Sequence, residues 1–177
     1  MTKADRRFSV LFLCTGNSAR SIIAESILRK IGSDRFIAHS AGSSPKGVVH
    51  PVALRVLASH GYPTEGLRSK AWDEFAVPGA EPIDIVVTVC DNAAGEVCPV
   101  WPGHPVAVHY GLEDPAAVEG DEPEVERAFG RTLKELLARI SLLTQLHVES
   151  LDRLALKARL QAIHLTVSEG KEPGPTS

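Results

Sequence analysis

The sequence predicts an α/β domain: a three-layer arrangement in which a four-stranded parallel sheet carries helices on both faces. Short apolar runs at 8–13, 36–39, 83–89 and 106–109 alternate with stretches of helical periodicity, the pattern of a parallel sheet with crossover helices. The first and third runs lack polar alternation, as strands buried on both faces do. The chain has 177 residues, 44% hydrophobic and 23% charged, which suits one domain that buries a core without staples.

The elements follow in order. Phe8 opens the first strand. After a polar loop, Ile23, Ala24, Ile27, Leu28 and Ile31 recur at helical spacing, and Gly32 follows as a stop. Pro51 opens a second helix with Ala53, Val56 and Leu57 on one face and Gly61 beyond its end. Ser69 is expected to cap a short helix carrying Trp72 and Phe75, ended near Pro78. The third strand leads into Cys90, and 91–105 reads as an irregular loop. Asp121-Glu122-Pro123-Glu124 is a helix start: a capping Asp, an early Pro and an acidic first turn. Phe129, Leu133, Leu136, Ile140 and Leu143 then form one seam. Near 147–150 its phase changes, and Leu156, Leu160, Ile163 and Val167 mark a different face. The expected long C-terminal helix thus either bends back or offers a second apolar face to another subunit. Expected boundaries are a domain over 8–148, a helical extension over 149–168 that forms a homodimer contact, and a disordered tail over 169–177.

Charge and composition exclude several functions. Lys+Arg 19 against Asp+Glu 22 gives a net charge of −3, which argues against a sequence-independent grip on nucleic acid. No apolar run approaches the roughly 18–20 residues of a bilayer span, and residues 1–7 hold no apolar signal segment. The expected location is the cytoplasm. The three cysteines are no secreted disulfide framework; in a reducing compartment such thiols are catalytic, redox-active, metal-bound or buried.

Cys14-Thr15-Gly16-Asn17-Ser18-Ala19-Arg20 places a Cys at the end of a buried strand and an Arg at the start of a helix. Backbone N–H groups of such a loop, backed by a helix N-terminus, form a nest for an anion. The guanidinium adds a planar, permanently charged fork. The same field lowers a thiol pKa, so Cys14 is expected as a thiolate nucleophile under a tetrahedral oxyanion. An ordinary strand-to-helix turn with a buried Cys is the bland alternative.

These residues, with Val86–Cys90, Cys98 and His109-Tyr110-Gly111-Leu112-Glu113-Asp114-Pro115-Ala116, resemble the low-molecular-weight protein tyrosine phosphatase superfamily over about 8–148. More narrowly, they resemble its thioredoxin-coupled arsenate reductases. The resemblance implies that Thr15, Gly16, Asn17, Ser18, Ala19 and Arg20 bind the oxyanion and that Asp114 is the general acid. Where phosphatases carry an aromatic pair after the Asp-Pro, this chain has Ala116-Ala117. The resemblance also implies a thiol relay. Cys14 attacks arsenate, Cys90 attacks the Cys14 sulfur and releases arsenite, and Cys98 takes over Cys90. Thioredoxin, or a glutaredoxin, reduces the last disulfide.

Asn17 is expected to hold the loop in a strained shape, and Ser21 to donate to the Cys14 sulfur or simply cap the helix. No cofactor is required on this reading. Some of the resembling reductases carry a potassium ion beside the loop, for which Asn17, Glu25, Ser40 and Asp73 are the matching donors. Cys90, Cys98, His104 and His109 can also be written as a zinc set, but the C-x7-C spacing lacks the usual short knuckle. Two rival functions remain: a phosphatase using Cys14, Arg20 and Asp114 alone, and a non-enzymatic oxyanion-binding module.

Overall fold

A computed structural model of the chain describes residues 6–91 and 101–169. Strand β1 (Phe8–Leu13) is buried along its whole length. It pairs in parallel with β2 (Phe36–Ala41) and β3 (Ile85–Thr88), and β3 pairs in parallel with β4 (Val106–His109). The sheet order is β2-β1-β3-β4. Side-chain alternation along β1 divides the core. Phe8, Val10 and Phe12 face the main helical layer, and Leu11 and Leu13 face the other way. Edge strand β4 alternates buried and exposed residues, whereas the central strands are buried on both faces.

Helix α1 (Arg20–Ile31) packs Ile22, Ile23, Ile27 and Leu28 into that core, and Arg29 and Lys30 complement the negative end of its dipole. Helix α2 (Pro51–Ser59) begins on its Pro. Its cap is a side chain the sequence did not suggest: His50 Nδ1 accepts from Val52 N–H at 3.1 Å. Helix α3 (Glu122–Thr144) starts as expected, with the Asp121 carboxylate accepting from Glu124 N–H at 3.0 Å. Phe129, Leu133, Leu136, Ile140 and Leu143 are all buried. Burying each such side chain contributes on the order of 1.5–3 kcal/mol.

The phase change near 147–150 is a break. After a 3-10 turn at Val148–Ser150 the chain reverses into α4 (Arg153–Glu169). The Arg35 guanidinium satisfies carbonyls at the end of α3, donating to Thr144 O at 2.7 Å and Leu146 O at 2.6 Å. Leu156, Leu160 and Ile163 join the same core as α1 and α3, and the Tyr110 hydroxyl donates to Leu160 O at 2.7 Å. Of the two alternatives the sequence left open, the chain bends back, as two helices. The apolar stripe that suggested a dimer contact is covered by the chain's own sheet and helices, leaving Leu154 and Leu165 as its exposed leucines.

On the opposite face, Leu11, Leu13, Ile83 and Val86 are covered by Trp72, Phe75 and Trp101. Trp72 and Phe75 sit on a 3-10 turn, Trp72–Phe75, whose cap position is Ala71 with no side-chain bond. Ser69 does not cap it. Its hydroxyl donates to Gly16 O at 3.2 Å and accepts from Gly47 N–H at 3.1 Å. Among the described residues no helix is long and apolar enough to cross a membrane.

Candidate active site

The link from β1 to α1 is a loop, residues 14–19, whose backbone is committed on its outer side. Ser44 N–H donates to Thr15 O at 3.0 Å, Lys46 N–H to Gly16 O at 3.0 Å, and His50 N–H to Ser18 O at 2.9 Å. Cys14 N–H donates to Ala41 O at 3.2 Å, and with those carbonyls committed the amides from Gly16 onward are the ones suited to an anion. Asn17 is fully buried at φ +43°, a left-handed conformation that Asn tolerates. Its Oδ1 accepts from Lys70 N–H at 2.9 Å, and its Nδ2 donates to Ser21 Oγ at 2.8 Å. Ser21 is therefore held by Asn17; the expected bond to the Cys14 sulfur is not formed among the described residues. Gly42, at the end of β2, lies under the loop so closely that a Cβ there would meet Thr15 O at 2.4 Å and Cys14 O at 2.7 Å.

Arg20 begins α1 and leans across the cup. Its Nη1 donates to Leu112 O at 2.9 Å, and its Nη2 lies 3.7 Å from Asp114 Oδ2. Its Nε is buried and has no hydrogen-bond partner among the described residues. Asp114 caps the 3-10 turn Pro115–Ala117, accepting from Ala116 N–H at 3.0 Å, and its side chain is 41% exposed at the mouth. A cavity of about 200 Å³ opens between Cys14, Ala19, Arg20 and Asp114, bounded also by Ser44 and Lys46. Among the described residues no aromatic side chain lines it. Lys46 was missed from sequence because nothing in its spacing ties it to the loop.

Cys14 and Cys90 are both buried and reduced. Cys90 Sγ sits over the loop and accepts from Thr15 N–H at 3.3 Å. Cys90 is also the neighbour that acts most strongly on the Cys14 thiol. That neighbour, then burial, push the Cys14 thiol far above its usual range, while the Arg20 charge works in the opposite direction. That direction runs against the sequence-based expectation of a thiolate at Cys14, which the Arg20 charge favours.

Cys98 and the rest of 92–100 lie outside the described residues, as does the tail from Gly170. His109 bridges Thr88 Oγ1 at 2.7 Å and Asp91 Oδ1 at 2.8 Å, which engages both ring nitrogens. Among the described residues no cluster of three His, Cys, Asp or Glu is placed to hold a metal ion.

The potassium donors are only partly brought together. Ser40 Oγ donates to Glu25 Oε2 at 2.8 Å, and the Lys70 ammonium donates to Ser40 Oγ at 3.4 Å and to Arg68 O at 2.9 Å. Asp73 is exposed on the Trp72–Phe75 turn. A cation on Ser40 would stand beside the Lys70 ammonium, and two unit charges about 4 Å apart repel by about 4 kcal/mol at an effective dielectric near 20. The residues present do not fit an alkali-metal ion.

Comparison with known proteins agrees with this geometry. The family described as low molecular weight phosphotyrosine protein phosphatase matches residues 9–155. An arsenate reductase of Halalkalibacterium halodurans is 37% identical over 131 residues, covering 74% of this chain and 91% of that protein. Among solved structures, a thioredoxin-dependent arsenate reductase of Corynebacterium glutamicum is 28% identical with a TM-score of 0.53, covering 79% of this chain and 65% of that one. An arsenate reductase of Archaeoglobus fulgidus is 27% identical with a TM-score of 0.55, covering 75% of this chain and 98% of that one.

Proposed function

We infer, from the premise that this chain belongs to the low molecular weight phosphotyrosine protein phosphatase family together with bacterial arsenate reductases, that it reduces arsenate to arsenite by a relay of thiols. The observation that carries the reading is a second sulfur against the loop: Cys90 Sγ accepts from the amide of Thr15, the residue after Cys14, at 3.3 Å. Phosphate-ester hydrolysis has no use for a thiol there. A two-electron reduction needs one.

Arsenate enters as Cys90 withdraws, taking the loop amides, the unpartnered Arg20 Nε and the nearby charge of Lys46. Freed of Cys90, the Cys14 thiol loses its proton under the Arg20 field and attacks arsenic. An As–O bond breaks, and Asp114, at the mouth of the cup, supplies the proton with which that oxygen leaves as water. Cys90 thiolate then attacks Cys14 Sγ. The S–As bond breaks with its electron pair going to arsenic, so As(V) becomes As(III) and a Cys14–Cys90 disulfide remains. Cys98 attacks Cys90 Sγ, which returns Cys14 as a thiolate and leaves Cys90–Cys98. An external dithiol, thioredoxin on the strength of the Corynebacterium relative, reduces that bond; no cofactor enters the scheme.

The absence of aromatic side chains around the cavity among the described residues supports a small inorganic oxyanion over an aryl phosphate. Arsenate turnover by Cys90→Ser and Cys98→Ser, with thioredoxin and its reductase, tests the relay. Both variants are expected to lose multiple turnover while keeping slow hydrolysis of a small phosphate ester. Undiminished arsenate turnover in either one refutes it.

A further inference from the structure

The oxygen cluster behind the loop already holds a positive charge. Lys70 is buried, at 8% exposure. Its ammonium donates to Ser40 Oγ and Arg68 O, and Ser40 passes the contact on to Glu25, itself buried at 5% exposure. Arg29 pairs with the other oxygen of that carboxylate at 3.1 Å. A buried carboxylate and a buried ammonium are each costly alone and tolerable together. The same residue's backbone reaches the cup: Lys70 N–H donates to Asn17 Oδ1, and Lys70 O accepts from Gly42 N–H at 2.9 Å. Its neighbour Ser69 holds Gly16 O.

We propose that Lys70 is a positioning residue whose ammonium serves as a built-in cation behind the oxyanion loop, occupying the role of a bound alkali-metal ion. The side chain neutralises Glu25 and anchors segment 68–72 in the interior. The backbone of that segment then fixes Asn17 in its left-handed conformation and so sets the direction of the loop amides. The cation is covalently supplied, and no exchangeable ion is needed for the loop to be shaped.

The test reads thermal unfolding of the full chain, which does not depend on the reaction proposed above, in potassium, sodium and choline chloride at equal ionic strength. Wild-type protein is expected to show the same midpoint in all three. Lys70→Ala opens a space lined by Ser40, Glu25 and the Arg68 carbonyl; its midpoint should fall by on the order of 5 °C. Potassium or ethylammonium, but not choline, should restore part of the loss. Lys70→Met keeps the volume without the charge and should fall similarly with no recovery. A potassium-specific rise in the wild-type midpoint overturns the proposal, and this arm stands even if neither variant folds. Failure of both potassium and ethylammonium to raise the Lys70→Ala midpoint also overturns it, as does equal recovery of Lys70→Met. Arsenate turnover, measured separately, bears only on the relay.

Discussion

The floor and the rim of the cup are built differently. On the floor, loop 14–19 is held from behind by Asn17, Lys70, Ser69 and the bare Cα of Gly42, with most contacts at hydrogen-bond distance and little exposure. On the rim, Asp114 is 41% exposed, its link to Arg20 stretches to 3.7 Å, and Cys90 meets Thr15 at 3.3 Å from its amide and 3.7 Å from its hydroxyl. The floor fixes where charge is received, which is where preorganisation lowers a barrier most. In the proposed relay the rim has to move a proton and hand a disulfide along, and stiff packing would oppose both.

The largest effect is expected where the two regions meet. Arg20→Lys keeps the charge but loses the planar fork, together with the Nε donor and the Leu112 contact. Its kcat/KM for arsenate should fall by roughly 10²–10³-fold, comparable to removal of an oxyanion donor; a loss below about fivefold would place the anion elsewhere.

A smaller effect separates rim from floor. Cys90→Ala deletes the side chain that most raises the Cys14 thiol while leaving Arg20 and the Gly16 amide that lower it. Alkylation of Cys14 by iodoacetamide at pH 7 should accelerate about tenfold or more, since each pKa unit is tenfold in thiolate. The midpoint of its pH profile should move to lower pH. An unmoved midpoint would mean that Cys90 does not control the nucleophile.

The smallest effect concerns the scaffold. Burial depresses the pKa of His39, His50 and His164, and neutral His50 accepts the capping bond of α2. In the unfolded chain these groups bind protons at higher pH than in the folded one. Their contribution is complete above the ordinary histidine range and is lost as pH falls through it toward the folded values. Urea midpoints at pH 7.5 and 5.5 should show lower stability at the acid value, and His50→Asn, which keeps a capping side chain without the titration, should narrow that gap.

Much of this was legible in the sequence because it is local. An uninterrupted apolar run followed by Cys, Gly, Asn and Arg specifies strand, loop and helix within a short window. Asp121 with Pro123 fixes a helix start in the same way. The turn at 145–152 was visible as a phase change in apolar spacing, although its direction was not; that depends on Tyr110 meeting Leu160. Lys70 was illegible for a related reason. It acts on residues 17, 25 and 40 through contacts with no fixed spacing, and a lone Lys in a polar stretch looks like solvent-facing charge. Ser69 misled because a Ser ahead of an apolar pair is a common cap, whereas here the tertiary partner at Gly16 won. The raised Cys14 thiol was missed because the loop was read as an isolated dipole, without the second sulfur that the end of β3 brings onto it.

The phenol of Tyr110 gives the C-terminal helix a stake in the chemistry. The stretch that begins with this ring runs directly on to the carbonyl gripped by Arg20 and then to Asp114, the proton donor of the proposed relay. Shearing α4 away would leave that phenol facing water and unmoor the strip of chain that carries Asp114, so α4 works as ballast for the loop at 14–19.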